Sequence, residues 1–143
     1  TAKSIDVAQH CLNKYGGDIL VLVNCCCPLT KSDDIANVVK IFLETKADSV
    51  VSLVEDFSCH PSKICQLDEN NKIISGKDFE TGERQQLKTF YKRNTSIYLA
   101  KKEIIMSGTF FGKDTRGYIM PKSRSYDLND MEDWKIMEYL IKQ

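Results

Sequence analysis

The sequence lacks an excess of charge of either sign and lacks any long hydrophobic run. Its 20 basic and 20 acidic residues cancel, so no overall field attracts polyanions, and nucleic acid is not an expected partner. No apolar run approaches the ~20 residues that span a bilayer, and the N-terminus carries no signal-peptide stretch. We therefore expect a cytoplasmic protein with no membrane partner.

The sequence also lacks an initiator methionine, because it begins at Thr1. This start is typical of a piece of a longer polypeptide or of a processed chain, and we expect a fragment. With 143 residues, 42% of them hydrophobic, the chain is long enough to bury one core. We expect a single domain over residues 1–143.

The six cysteines do not form a pattern typical of disulfides or zinc sites. The run 25–27 is consecutive, and neighbouring side chains alternate in direction along an extended chain, which makes a poor chelate and a poor disulfide framework. The segment CHPSKIC offers Cys59, His60 and Cys65 without a matching pair, so zinc is the less favoured alternative there. Reduced cysteines are the expected state.

Hydrophobic periodicity predicts a helix, a strand, a second helix and a second strand in the first 55 residues. Ser4 and Ser32 are the expected N-caps of the two helices. The continuous apolar run at 18–23 is typical of a central parallel strand, and the β-branched run at 49–55 of another strand. This order predicts an α/β fold with an open sheet.

The pattern changes after the second predicted strand. Residues 58–86 show little periodicity and contain the turn signal Asn70-Asn71, which predicts an inserted, partly hairpin-like excursion. The segment SIYLA at 96–100 resumes a strand pattern. Asn129 followed by Glu132 predicts a capping box before a last helix.

Three positions are candidates for chemistry on residue type and place alone. Asn24 follows the first predicted strand, where ligands of open α/β sheets collect, although an Asn there is more often a turn former. Asp127 and Asn129 would face one side of an extended segment and suit Mg²⁺, but helix capping explains them at least as well. Arg84 could hold a carboxylate, or simply lie in a solvated loop.

Four segments in order resemble the acylneuraminate cytidylyltransferase family, the CMP-sialic acid synthetases and their relatives for other nonulosonates. DILVLVNCCCPLTKSDDI at 18–35 resembles the family stretch LLQPTSPLRTxEDI, and RQQLKTFYKRNTSIY at 84–98 resembles RQQLPxxYxxNGAIY. YIMPKSRSYDLN at 118–129 resembles YxMPxxxSIDID, and Ala2-Lys3-Ser4 resembles the segment ASS. The likeness covers essentially the whole chain.

The resemblance implies a Rossmann-like α/β domain with a mostly parallel sheet, flanking helices and a small inserted dimerisation excursion at about 58–95. It implies that the first strands of the fold are missing, which would leave an apolar sheet edge and favour oligomers. The implied reaction is attack by the anomeric hydroxyl of a sialic-acid-like nonulosonic acid on the α-phosphorus of CTP, with Mg²⁺ as cofactor and pyrophosphate released. The implied assembly is a homodimer.

The resemblance also implies a role for individual residues. Ala2 and Ser4 would border the cytidine, and Asn24 would contact the sugar. Arg84 and Gln85 would hold the sugar acid, with Asn94 nearby. Asp127 would bind the metal together with Asn129, and Asp127 and Arg84 would be the catalytic residues.

The chain departs from the family pattern at several of these places. Asn129 stands where the family has the second Asp of SIDID, Cys26 and Cys27 replace the Thr and Ser of PTSP, Thr30 replaces an Arg, and Thr95-Ser96 replaces Gly-Ala. The glycine-rich, lysine-bearing arm of the family is not in this sequence, so we expect no turnover by these residues alone. The alternative function is a non-catalytic binding or dimerisation module derived from that family.

Overall fold

The computed structural model of the protein describes residues 3–75 and 89–142. Its helices are α1 (Ser4–Tyr15), α2 (Ser32–Thr45), α3 (Lys102–Met106) and α4 (Met131–Ile141). Its strands are β1 (Ile19–Val23), β2 (Ser49–Glu55), β3 (Gln66–Leu67), β4 (Ile73–Ser75), β5 (Tyr91–Lys101) and β6 (Thr115–Ile119). Among these described helices, none is long and apolar enough to cross a bilayer.

The main sheet has the strand order β1-β5-β2-β6. Strands β1, β2 and β6 run in one direction, whereas β5 runs against both of its neighbours. Three of the four strands therefore share a direction, which confirms the predicted mostly parallel α/β sheet.

The first strand, predicted to be central in the complete fold and an exposed apolar edge without its first strands, lies at the edge of the described sheet. Strand β1 is an edge strand and pairs only with β5 there, in antiparallel register. Its alternate residues Ile19, Val21 and Val23 remain 37–45% exposed, while Leu20 and Leu22 pack on the core. One face of this apolar strand is thus packed on the core, and the other face is open. Hydrophobicity alone does not distinguish such a strand from one that is covered on both faces.

The helices cover the two faces of the sheet. Neighbouring side chains of a strand point to opposite faces, and Ala100 of β5 packs with residues of α1 and α3. Leu99 of the same strand packs with Val38 and Phe42 of α2. The domain is therefore layered, with α1 and α3 on one side of the sheet and α2 on the other.

The predicted N-caps are displaced by one residue. Ser4 and Ser32 are the first residues of α1 and α2, and the residue before each is the cap. In α2, the cap residue Lys31 donates its backbone N–H to the carboxylate of Asp34 at 2.9 Å. An acid in the first turn also interacts favourably with the helix dipole, so the acid, rather than the serine, supplies the capping contact.

The predicted N-cap of the last helix, α4, is also displaced by one residue. Its N-cap is Asp130, whose carboxylate accepts hydrogen bonds from the backbone N–H groups of Glu132 and Asp133 at 2.8 and 2.9 Å. The predicted cap, Asn129, lies one residue earlier. A charged acceptor satisfies two unpaired N–H groups at the helix start, so Asp130 takes the position.

The excursion contains the predicted hairpin. Strands β3 and β4 pair in antiparallel fashion, and the intervening turn includes Asn71 with a φ of 63°. Strand β5 begins at Tyr91, five residues before the predicted strand at 96–100. The final part of the range 58–95 therefore belongs to the main sheet.

Candidate functional site

A bulge in β5 creates the candidate site. Val51 of β2 pairs with Tyr98, but Leu53, two residues on, pairs with Arg93, five residues away along β5. Three extra residues of β5 are thus accommodated opposite β2, and bulges of this kind redirect side chains beside active sites. Within the bulge, Thr95 has a φ of 59°, an uncommon conformation for a β-branched residue.

Asn94 anchors this bulge to the rest of the domain. It is 3% exposed, and its Oδ1 accepts a hydrogen bond from the Ser52 hydroxyl of β2 at 2.6 Å. Its Nδ2 donates to the Ser125 hydroxyl at 3.0 Å and to the Met120 sulfur at 3.1 Å, both beyond β6. Asn94 therefore joins two strands and the segment that leads to α4.

Asn24 attaches the end of β1 to the same bulge. Its side-chain amide donates to the backbone carbonyl of Thr95, and its backbone N–H donates to the carbonyl of Ser96 at 2.9 Å. Asn24 therefore lies at the carboxyl end of β1, as predicted.

Asp127 approaches the bulge from the opposite side. The Thr95 hydroxyl donates to Asp127 Oδ2 at 3.2 Å. The neighbouring residue, Leu128, donates its backbone N–H to the carbonyl of Cys26 at 2.9 Å. The structure thus gathers Asn24, Asn94 and Asp127 around Thr95, which sequence reasoning treated only as a departure from the family pattern.

Asn129 and the nucleotide-side residues are placed differently. The Asn129 backbone N–H donates to the Asp133 carboxylate at 2.9 Å, and its side-chain amide lies 3.4 Å from the same oxygen. Ser4 is exposed at the start of α1. The other predicted site residues, Ala2, Arg84 and Gln85, lie outside the described residues.

A buried ion pair that the sequence did not predict supports the segment before Asp127. Arg124 donates to both carboxylate oxygens of Asp34, and the Tyr118 hydroxyl donates to Asp34 Oδ1 at 2.9 Å. Burial of Asp34 favours a higher pKa, but the hydrogen bonds from Arg124, the Lys31 N–H and Tyr118 together hold its pKa below the usual value.

A cavity of about 220 Å³ opens beside Asn94 and Asp127. Its lining includes cationic and acidic side chains, Lys92, Arg93, Lys122, Glu55 and Asp56. A larger cleft of about 740 Å³ shares Glu55, Asp56 and Lys122 with it. The cations suit an anionic ligand, and the nearby acids favour a ligand that also carries hydroxyl groups.

The cysteines after β1 lie inside the same site. Cys27 is 2% exposed, and its Sγ lies 3.9 Å from Cys26 Sγ and 4.0 Å from Asp127 Oδ1. Burial, followed by the contact with Asp127, raises the pKa of Cys26 to about 12, and burial also raises that of Cys27. The expectation that consecutive cysteines point apart was wrong here, because the chain turns after β1.

The segment CHPSKIC does not behave as a ligand set within the described residues. The Cys59 thiol contacts the backbone carbonyl of Asp56 at 2.9 Å, and Cys65 is exposed. Among residues 3–75 and 89–142, the cysteine, histidine and acidic ligand atoms that do converge on one point belong to Cys26, Cys27 and Asp127.

Comparisons with known proteins identify relatives by sequence. No protein-family profile matches the chain. Post-translational flagellin modification protein B of Campylobacter coli is 28% identical over 127 residues, which are 88% of this chain and 54% of that protein. The CMP-N,N'-diacetyllegionaminic acid synthase of Campylobacter jejuni is 34% identical over 74 residues, 51% of this chain and 32% of that enzyme. The chain thus spans about half the length, or less, of these relatives.

Solved structures share the fold. A CMP:2-keto-3-deoxy-manno-octonic acid synthetase complexed with CTP has a TM-score of 0.68 at 9% identity, over all of this chain and 69% of that one. The 4-diphosphocytidyl-2C-methyl-D-erythritol synthase of Anaerococcus prevotii has a TM-score of 0.64 at 8% identity, over all of this chain and 68% of that one. Their likeness to this chain is one of fold. The chain is thus similar in sequence to the two Campylobacter proteins, and its Rossmann-like sheet shares the fold of the two solved structures.

Proposed function

We propose that the chain is part of a nucleotidyltransferase that transfers CMP from CTP to a sialic-acid-like nonulosonic acid. The observation that carries this proposal is the convergence of Asn24, Thr95 and Asp127 at the carboxyl end of β1, where α/β sheets bind ligands. The relative whose name states a CMP-nonulosonate product is 34% identical over half of the chain.

In the proposed reaction, the oxygen of the sugar's anomeric hydroxyl forms a bond to the α-phosphorus of CTP. The bond from that phosphorus to the pyrophosphate oxygen breaks, pyrophosphate leaves, and the proton of the hydroxyl passes to solvent. Negative charge grows on phosphate oxygens, so fixed donors and cations lower the barrier. Lys92, Arg93 and Lys122 line the cavity beside Asp127 and supply such cations.

Asp127 fits the role of a ligand for Mg²⁺. Mg²⁺ commonly uses one or two carboxylates plus the phosphates of the substrate, and Asp127 places a carboxylate at the wall of the cavity. When bound, the ion would neutralise charge on the triphosphate. The Asn129 amide contacts the Asp133 carboxylate instead, so we assign the metal to Asp127 alone.

The other side chains act by positioning. Thr95 holds one oxygen of the Asp127 carboxylate, and Asn24 holds the backbone of Thr95. Arg84 and Gln85 retain their proposed role of binding the sugar's carboxylate, since a guanidinium binds a carboxylate through two parallel hydrogen bonds. The proposal includes the homodimer that the family resemblance implies.

The test is pyrophosphate release by the full-length protein from CTP, Mg²⁺ and a panel of nonulosonic acids. We expect release with at least one sugar and a loss of at least about a hundredfold in Asp127→Asn, since an electrostatic group at the reacting phosphate is removed. Asp33→Asn is the matched control, because Asp33 is an exposed first-turn residue of α2.

Two results would contradict this proposal. Undiminished pyrophosphate release in Asp127→Asn would contradict the assignment of Asp127 as the metal ligand. No release with any sugar, from a folded protein that contains all of its chain, favours the non-catalytic binding module.

A further inference from the structure

The ligand atoms of Cys26, Cys27 and Asp127 lie close to one another. All three lie within 4.8 Å of one another. A tetrahedral zinc ion with Zn–S bonds of about 2.3 Å requires two sulfurs about 3.8 Å apart, and the observed Sγ–Sγ distance is 3.9 Å. The corresponding sulfur-to-oxygen separation is about 3.5 Å, against 4.0 Å between Cys27 Sγ and Asp127 Oδ1. Small side-chain shifts suffice to close the set around an ion.

The two oxygens of Asp127 have different partners. Oδ2 accepts the Thr95 hydroxyl at 3.2 Å, while Oδ1 faces the Cys27 thiol. A hydrogen bond to the second oxygen of a ligating carboxylate orients the first one. The geometry therefore directs Oδ1 of Asp127 toward the sulfurs.

The backbone fixes the two thiols in place. The Thr30 hydroxyl donates to the carbonyl of Cys27 at 2.8 Å, and the carbonyl of Cys26 accepts the Leu128 N–H at 2.9 Å. Cys26 is only partly buried, which gives an ion a path from solvent. Preorganised ligands and an entry path are what a metal site needs beyond its donor atoms.

We propose that Cys26, Cys27 and Asp127 form a binding site for a thiophilic divalent cation of the Zn²⁺ type. Two sulfurs and one carboxylate suit a borderline-soft ion, whereas Mg²⁺ prefers oxygen alone. Each thiol releases its proton to solvent as it binds, and a fourth position stays open for water. The consequence for catalysis rests on the proposed function: an ion held here occupies the Asp127 carboxylate and inhibits CMP transfer.

The binding test uses Cd²⁺ as the probe and needs no activity. When the full-length protein is titrated with Cd²⁺, absorbance from sulfur-to-metal charge transfer should appear. It should saturate when one ion is bound for each Cys26–Cys27–Asp127 group. We expect Cys26→Ser to weaken this binding by more than about tenfold. Cys25→Ser is the matched control, because Cys25 is the exposed neighbour outside the group, and it should bind as the unchanged protein does.

Circular dichroism of Cys26→Ser and Cys27→Ser separates loss of ligand from loss of fold. Cys26 is the more exposed of the two, so its variant is the primary one. The proposal is overturned if Cd²⁺ gives no charge-transfer band, or if folded Cys26→Ser binds Cd²⁺ as tightly as the unchanged protein. If the protein also releases pyrophosphate, Zn²⁺ should inhibit that release, and folded Cys26→Ser should resist the inhibition. Absent pyrophosphate release contradicts only the proposed function, since the Cd²⁺ titration does not depend on it.

Discussion

Arg124 donates two hydrogen bonds to the carboxylate of Asp34, from Nε to Oδ2 at 3.0 Å and from Nη2 to Oδ1 at 2.6 Å. The Asp34 side chain has no exposed surface, and that of Arg124 is 25% exposed. This pair joins the start of α2 to the segment that carries Asp127, three residues after Arg124. The position of the candidate metal carboxylate therefore depends on a contact outside the cavity.

Removing the arginine should destabilise the domain. Arg124→Ala leaves the Asp34 carboxylate buried without its cation, which costs about 3 kcal/mol in other buried pairs. Urea denaturation measures the free energy of unfolding. Arg116→Ala is the control, because its ion pair with Asp114 lies at the surface and should contribute much less. Equal losses of unfolding free energy in the two variants would contradict a larger contribution from the buried pair.

The same carboxylate should make stability depend on acid. Because the pKa of Asp34 in the folded protein is below the ordinary 3.8, its stabilising effect is complete above that value. It is lost as the pH falls toward the lowered pKa. We expect the urea midpoint to decline as the pH falls below 3.8, and the decline to be shallower in Asp34→Asn. Asp33→Asn changes the exposed neighbouring residue and should keep the steep decline of the urea midpoint. An equally shallow decline in both variants would contradict the role of Asp34 in the pH dependence.

Thr95 should prefer glycine over alanine, the reverse of an ordinary strand position. Both substitutions remove the hydroxyl that contacts Asp127, but only glycine adopts a φ of 59° without a penalty from Cβ. We expect Thr95→Gly to be more stable than Thr95→Ala by about 1 kcal/mol in urea denaturation. At Thr115, in the regular strand β6, alanine should be the more stable of the two. The same order at both positions would contradict the assigned backbone conformation of Thr95.

The thiol of Cys26 should be slow to alkylate. Burial and the Asp127 carboxylate raise its pKa to about 12, so the reactive thiolate is scarce near neutral pH. Mass spectrometry of protein treated briefly with iodoacetamide at pH about 8 should find Cys25, which is exposed, modified well before Cys26. Raising the pH should increase the rate at Cys26 until the protein unfolds. Equal rates at the two positions would contradict the environment assigned to Cys26.

Local patterns were sufficient for most of the fold. The second strand was predicted with its observed bounds, 49–55, because a run of β-branched residues favours that structure. The helix starts were displaced by one residue, since an acid within the first turn, such as Asp34, can supply the capping contact in place of the predicted serine. Strand β1 lies at the edge of the described sheet with one apolar face exposed, as expected for this strand where the first strands of the fold are absent.

The site was predictable in part. Asn24 and Asp127 were chosen for their place in the chain and for the family resemblance, and the structure brings them to the same bulge. Thr95 was missed as a contact, because its role depends on a left-handed backbone conformation inside β5. The Cys26–Asp127 contact was missed as well, because it joins residues that are far apart in the sequence and no spacing rule describes it.

The sequence by itself determined the alternation of helices and strands, the hairpin and the resemblance to a cytidylyltransferase family, since these depend on side chains close together along the chain or on motifs in fixed order. Only the tertiary structure decided which strands are neighbours, where β5 bulges, and that two cysteines, a threonine and Asp127 meet. Those contacts are set by sheet register and by the packing of α2 against the sheet, which depend on the whole chain at once.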